Sequence, residues 1–138
     1  MPFNPEHYLA LCRQLSSTET AFEEAKYRCI ISRSYYSAHL FAREVMRRYF
    51  PYELSKTGME RLGEEHDLVP KFLTQKGHFQ ISSKLNALRR KRAKADYDLN
   101  AVWETDLKKE AGNAIILCDF VIGQIKASPL LKRPDRQA

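Results

Sequence analysis

Apolar side chains recur every three to four residues along most of the chain, which is the spacing of one helix face. The pattern predicts a first helix from Asn4, whose side chain can cap it, to about Leu15. A capping box formed by Ser16 and Glu19 predicts the start of a second helix, and no helix breaker follows until Pro51. The second helix is therefore expected to be the longest element, roughly 45 Å at the rise of an α-helix.

The helical pattern weakens in the middle of the chain and then returns. A short helical turn is predicted around 57–60, and Asp67 can cap a short middle helix that Gly77 ends. Long helices are predicted over about 81–96 and about 105–127, where apolar residues again share one face. We expect an all-α bundle of four to five helices, of which two to three are long.

The predicted second helix is apolar on two nearly opposite faces. One stripe contains Phe22, Ala25, Cys29, Tyr36 and Leu40, and the other contains Ile31, Tyr35, Ala38, Ala42, Val45 and Tyr49. A helix with two apolar faces lies at the centre of a bundle or contacts a partner subunit with its outer face. A small bundle cannot cover both stripes, so we expect a homodimer.

Composition supports one small domain that needs no disulfide or metal. The chain has 138 residues, of which 43% are hydrophobic, so one core is sufficient. We expect a single domain over 1–128 and a flexible basic tail over 129–138. The three cysteines lack Cys-x-x-Cys spacing and are expected to be reduced core residues. Neither a metal-ligand spacing nor a cofactor motif occurs, so no metal and no cofactor are expected.

Two further patterns concern location and partners. The chain has no apolar run long enough to span a membrane and no signal-peptide pattern, so we expect a cytoplasmic protein without membrane contact. The formal net charge is +6. A positive surplus attracts polyanions such as RNA, but it also serves solubility alone. The total charge does not separate these two interpretations.

Arg92 is the most unusual residue of the predicted helices, because this charged residue shares an apolar helix face with Leu85, Leu88 and Ala95. An arginine on a packed face needs a partner, and Asp96 lies four residues further on, within reach of an ion pair. The second helix repeats this feature with an arginine on the stripe that contains Cys29.

That second arginine is Arg33. Two guanidinium groups beside tyrosines can bind a phosphate through paired hydrogen bonds. In the alternative interpretation both arginines are structural and pair with Glu23, Asp96 or Glu104. The surrounding basic run, which includes Arg90 and Lys94, is then a solvated face.

Three segments resemble HEPN domains. The segment SRSYYSAHLFAREVM (32–46) resembles the second-helix signature of that family, and LRRKRAKADYDL (88–99) resembles the Arg-x-x-Ala-Asp-Tyr motif of a prokaryotic subfamily. His66, in EEHDLVPKFL, stands where many such proteins have a histidine opening the middle helix. The likeness extends over about 19–127. It implies a HEPN-like bundle of four to five helices, often paired as a homodimer about the helices that carry the motif.

The resemblance also implies a range of activities. Many HEPN proteins are metal-independent endoribonucleases, either toxins partnered by a nucleotidyltransferase antitoxin or components of antiviral defence systems. Others bind RNA, nucleotides or partner proteins without catalysis. On this basis the catalytic residues would be Arg92, Asp96 and Tyr97. The substrate-binding residues would be Arg33, Arg90, Lys94 and His66.

The chain departs from the family motif at one position. HEPN nucleases have an arginine followed four to six residues later by a histidine, whereas here Tyr97 takes the place of the histidine (Arg-x4-Tyr). With a reference pKa of about 10, tyrosine is a poorer base near neutral pH than histidine, whose pKa is about 6.5. Tyr97 can still position a phosphate or act as an acid. Of the other histidines, His66 is a better substitute than His39, which should lie on a different helix face from Arg33.

Three functions therefore remain open from the sequence. The first is a HEPN ribonuclease in a toxin–antitoxin or defence module. The second is a non-catalytic HEPN module that binds RNA, a nucleotide or a nucleotidyltransferase partner. The third is a helical subunit that serves assembly alone.

Overall fold

The computed structural model describes residues 3–50 and 65–129, and both ranges are built from helices without any strand. The five helices are α1 (Glu6–Ser16), α2 (Glu23–Tyr49), α3 (Glu65–Gln75), α4 (Phe79–Tyr97) and α5 (Leu107–Ala127). The predicted all-α bundle is thus confirmed for this part of the chain. The turn predicted around 57–60 and the tail from residue 130 onward lie outside the described residues. None of the described helices is long and apolar enough to cross a membrane.

Helix α2 is the centre of the bundle and packs against each of the other four helices. Its 27 residues give it a length of about 40 Å. Four residues of one stripe are buried in the core, as expected for a central helix: Ile31, Tyr35, Ala38 and Ala42. Val45 and Tyr49, at the end of that stripe, are half-buried. The other stripe faces outward at its start, because Phe22 and Cys29 are exposed.

The start of α2 differs from the prediction. Ser16 is the last residue of α1, so it does not cap α2. The hydroxyl groups of Ser17 and Thr18 donate to the carbonyl of Gln14 and so close the end of α1. The predicted capping box is therefore wrong, and α2 begins only at Glu23.

The junction of α3 and α4 follows the prediction that Gly77 ends the middle helix. Gly77 has a φ of 84°, a left-handed conformation that glycine adopts without a Cβ penalty. Its N–H donates to the Thr74 carbonyl at 3.0 Å, and the His78 N–H donates to the Leu73 carbonyl at 2.8 Å. These two bonds form a Schellman motif, which satisfies the last carbonyls of α3.

The cysteines divide into two kinds. Cys12 and Cys118 are buried and free, as expected of small core residues. Burial raises the pKa of the Cys118 thiol to about 12, so it stays protonated. Cys29 is exposed on the outer face of α2, and its predicted core position is wrong. Its stripe is apolar, but no described helix covers that part of α2.

Candidate anion-binding site

Two arginines from different helices meet at one tyrosine ring. The guanidinium carbon of Arg33, on α2, lies 4.9 Å from the centroid of the Tyr36 ring. The guanidinium carbon of Arg92, on α4, lies 5.5 Å from the same centroid. Both distances are within the range of a cation–π interaction. The packing of α2 against α4 therefore brings together two cations that are 59 positions apart in the sequence.

One carboxylate lies between these cations. Asp96 forms an ion pair with Arg92, with 3.8 Å between Oδ2 and Nη1. The Ser32 hydroxyl donates to the same Asp96 oxygen at 3.1 Å and accepts a hydrogen bond from Arg33 Nη2 at 3.3 Å. We call Arg33, Tyr36, Arg92 and Asp96 the arginine cluster. Two guanidinium groups and one carboxylate leave it with one net positive charge.

Arg92 is buried but poorly supplied with acceptors. The residue is only 8% exposed. Its Nε has no hydrogen-bond partner among the described residues, and its contact with Asp96 is longer than a hydrogen bond. A guanidinium group has five N–H donors, and leaving them unsatisfied in a buried place is costly. An anion that reached Arg92 would supply the missing acceptors.

The rings of Tyr35, Tyr36 and Tyr97 surround the Arg92 guanidinium. Its carbon lies 5.3 Å from the Tyr35 centroid, 5.5 Å from Tyr36 and 5.7 Å from Tyr97. Tyr35 is buried, whereas Tyr97 is 74% exposed at the end of α4. The predicted residues Arg92, Asp96 and Tyr97 are therefore adjacent, and Arg33 reaches them through Tyr36.

His66 joins the arginine cluster from the start of α3. Its ring lies edge-on to Tyr36, with 6.1 Å between the centroids. Its Nδ1 atom is 2.6 Å from the Tyr35 hydroxyl, a hydrogen-bonding distance. The His39 ring stacks on the His66 ring, with 4.6 Å between the centroids, and is fully buried. His66 thus contacts the Tyr36 ring against which both arginines lie, and His39 belongs to the core.

Two predicted substrate-binding residues are not part of the arginine cluster. Arg90 lies on α4 and is exposed to solvent. The ammonium of Lys94 lies over the Trp103 ring, 4.8 Å from its centroid, and so contacts the connection between α4 and α5. Sequence reasoning placed both in the site because they belong to the same basic run, but their helix positions direct them away from α2.

Two other members of the basic run are committed to structural ion pairs. Lys91 forms a 2.6 Å ion pair with Glu110, which is only 3% exposed. Burial raises the pKa of Glu110, but hydrogen bonds from Lys91 and Thr105 outweigh it, so the pKa lies below its usual value. Arg89 forms a 2.6 Å ion pair with Asp67 on α3. The interpretation of the run as a solvated face therefore does not hold for Lys91 and Arg89, whose side chains pair with α5 and α3.

Arg28 supports the end of α4 that carries Asp96 and Tyr97. Its Nη1 donates to the carbonyls of Ala95 and Asp98, each at 3.0 Å. These carbonyls lie at the C-terminal end of the helix, where they lack helical donors and where positive charge is favourable. The Arg28 guanidinium thus holds the end of α4 against α2, beside the arginine cluster.

Sequence reasoning did not assign Tyr35, Tyr36 or Ser32 to the site. The two tyrosines are sequence neighbours assigned to opposite stripes of α2, so helical periodicity gave no reason to place both beside one arginine. The signal was the concentration of tyrosine and serine around Arg33 in SRSYYS. No group of three or more histidine, cysteine or acidic side chains in 3–50 and 65–129 is arranged to hold a metal ion.

Comparison with known proteins shows a similarity to an archaeal protein. No protein-family model matches the chain, and no solved structure matches it. An uncharacterized protein of Methanocaldococcus jannaschii is 29% identical over 109 residues, which cover 72% of this chain and 66% of the relative. The match thus spans slightly less than two thirds of the relative's length. The chain is similar to this archaeal protein over most of its own length, and the relative's name states no activity.

Proposed function

We propose that this chain is a HEPN-type protein that binds a phosphate group of RNA or of a nucleotide at the arginine cluster. The observation that supports this proposal best is Arg92, which is 8% exposed and has a buried Nε without an acceptor among the described residues. A phosphate oxygen is a strong acceptor for such a donor, and the planar guanidinium binds phosphate through two parallel hydrogen bonds. Arg33, half-buried beside the same tyrosine ring, supplies a second cation.

The tyrosines favour a single-stranded ligand. Tyr97 is 74% exposed, and its ring lies beside Arg92. Proteins hold unstacked bases on exposed aromatic rings next to the cations that bind the backbone. Tyr97 in this proposal stacks on the base whose phosphate lies at Arg92. The net charge of +6 increases the rate of encounter with the polyanion.

Metal-independent RNA cleavage is the second candidate function, and the position of His66 favours it. Cleavage through the 2′-hydroxyl requires a base for that hydroxyl, an acid for the leaving 5′-oxygen and a cation for the phosphorane charge. Arg92 can stabilise the charge. His66, hydrogen-bonded to Tyr35 and 6.1 Å from the Tyr36 ring, can act as the base that takes the 2′-hydroxyl proton, a step for which Tyr97 is poorly suited. Tyr97, whose ring lies beside Arg92, can act as the acid that protonates the leaving 5′-oxygen.

The cellular role in this proposal comes from the HEPN resemblance. A ribonuclease of this type acts as the toxin or effector of a toxin–antitoxin or defence module in the cytoplasm. A non-catalytic protein of this type is a binding or assembly subunit for a nucleotidyltransferase or another partner. The neighbouring gene separates the two, since an adjacent nucleotidyltransferase gene favours a two-protein module.

Binding of a fluorescent single-stranded RNA, measured by anisotropy at several salt concentrations, tests the proposed phosphate site. We expect Arg33→Gln and Arg92→Gln each to lower the affinity about tenfold. Each should also reduce the slope of log affinity against log salt concentration by about one. The matched control is Lys84→Gln, which removes one exposed positive charge from α4. A wild-type protein that binds neither RNA nor nucleotides refutes the proposal, as do folded arginine variants with wild-type affinity.

Incubation of metal-free protein with mixed RNA tests the second candidate. If His66 transfers protons, His66→Ala should abolish cleavage and leave RNA affinity within about twofold of wild type, since the arginines supply the binding. Wild-type protein that leaves the RNA intact, or a His66→Ala variant that cleaves at the wild-type rate, excludes this role.

A further inference from the structure

A groove at the C-terminal half of α2 is separate from the arginine cluster and shares none of its residues. The groove has a volume of about 1070 Å³ and lies between α2, the residues just before α1 and the end of α5. Its apolar lining includes Phe3, Phe41 and Val45. Phe3 is 54% exposed, so the groove presents apolar surface to solvent.

Arginines dominate the charged lining of this α2 groove. Arg43, Arg47 and Arg48 line it, and among the described residues Glu44 is the acidic one that lines it. Glu44 Oε1 lies 3.7 Å from Arg47 Nη1 and 3.5 Å from Arg43 Nη2, so one carboxylate forms ion pairs with two guanidinium groups. Among the described lining residues, three cations and one anion leave two net positive charges, and Arg47 and Arg48 are exposed.

Charge disfavours two occupants that the chain itself could provide. The segment 132–138 contains Lys132, Arg133 and Arg136 against a single acidic residue, so it is repelled by the arginines. A second copy docked through the same face about a two-fold axis would place these arginines opposite one another. Like charges brought together at an interface are unfavourable.

We infer that the α2 groove binds an acidic amphipathic helix of a partner protein. The apolar side chains of such a helix fill an apolar groove, and its carboxylates pair with a basic rim. RNA matches only the rim, because phosphates gain nothing from the apolar lining. The stretch from Leu40 to Tyr49 is about 15 Å long, room for about three turns of a helix lying along it. This inference goes beyond the proposed function, since it concerns a protein partner and a different surface.

The probe for this site is a fluorescent helical peptide of about 14 residues, with leucine at every third or fourth position and glutamate elsewhere. We expect micromolar binding by anisotropy and a loss of about tenfold or more in the double variant R47E/R48E, which reverses the charge of the rim. The matched control K108E/K109E reverses two exposed lysines on α5, far from the groove, and should bind within about twofold of wild type.

A second variant tests the apolar lining without changing charge. Phe3→Ser shortens a half-exposed side chain and should weaken the peptide about threefold to tenfold, with an effect that persists in high salt. The helical circular dichroism signal of each variant verifies its fold.

Several results would overturn the inference. In the first, the wild-type protein fails to bind the acidic peptide, and in the second it binds a peptide with lysine in place of glutamate equally well. Unchanged affinity of R47E/R48E for the acidic peptide is the third such result. Competition with single-stranded RNA is the last experiment. If RNA displaces the peptide and R47E/R48E loses RNA affinity, the groove is a nucleic-acid surface instead. If R47E/R48E binds RNA like wild type and fails to bind the peptide, the groove takes the protein partner, whether or not the arginine cluster binds RNA.

Discussion

Arg89 donates a hydrogen bond of 3.2 Å to the main-chain carbonyl of His66. That carbonyl is the one left without its helical donor by Pro70, which lies four residues later inside α3 and has no N–H. The same guanidinium group binds Asp67 at 2.6 Å. Helix α4 thus holds the first turn of α3 and places His66 beside Tyr36. The prediction that Asp67 caps this helix is wrong, because α3 already begins at Glu65. Asp67 forms the ion pair with Arg89 instead.

Arg89→Met should raise the pKa of Asp67 toward its usual value. A hydrogen bond from Arg89, followed by its charge, holds the pKa of Asp67 below that value in the native protein. A carbon-detected NMR titration of the aspartate side chains measures the change. Lys84→Met, which removes an exposed charge elsewhere on α4, should leave Asp67 unchanged. A wild-type Asp67 pKa in Arg89→Met would contradict the ion pair.

Lys91→Met should destabilise the protein by about 2 kcal/mol near neutral pH, because it leaves the buried Glu110 carboxylate without its charged donor. The pKa of Glu110 lies below its unfolded value in the native protein. The ionised group therefore stabilises the fold above the unfolded pKa, and this contribution is lost as the pH falls through the lowered folded pKa.

The difference in free energy of unfolding between wild type and Lys91→Met should consequently shrink in acid. Urea titrations at about pH 7 and about pH 4 measure it. Lys108→Met, at an exposed position on α5, is the control and should change stability by less than about 0.5 kcal/mol at either pH. A difference that is constant with pH would show that Glu110 does not depend on Lys91.

Tyr36→Leu should lower RNA affinity about tenfold while the fold persists, because both guanidinium groups of the arginine cluster lie against the Tyr36 ring. Tyr36→Phe keeps the ring and should bind within about twofold of wild type. Anisotropy with single-stranded RNA and a thermal melt on the same samples distinguish lost binding from lost folding. Equal affinities of the leucine and phenylalanine variants would remove the ring from the site.

We expect a homodimer formed through the outer face of α2. Phe22, the residue directly before α2, is 75% exposed, and the exposed Cys29 lies seven residues further on, in α2. Phe22→Asp should shift the protein to the monomer in light scattering at micromolar concentration. Phe79→Asp changes another exposed phenylalanine, on α4 and 66% exposed, and should leave the dimer intact. A wild-type monomer at every concentration would refute this prediction.

Local features were predictable because they depend on residues close in sequence. Helical periodicity located α4 and α5 to within two residues of their observed ends. Gly77 ends α3 as expected, since a left-handed turn needs little more than the glycine itself. The Arg92–Asp96 pair was also foreseen, because residues four apart on a helix are neighbours wherever that helix packs. The start of α2 was not, because the serine and threonine hydroxyls could close one helix or open the next.

The candidate site itself was decided by tertiary structure. Sequence alone identified Arg33 and Arg92 as unusual, but their meeting at Tyr36 depends on how α2 and α4 pack, and periodicity within one helix carries no information about its neighbour. The position of His66 depends in turn on Arg89, which binds a main-chain carbonyl that only the folded α4 can reach. The sequence by itself determined which helices form and which cations lie on them. The packing of three helices determined which cations share a ring, because the contacts that bring them together join residues distant in sequence.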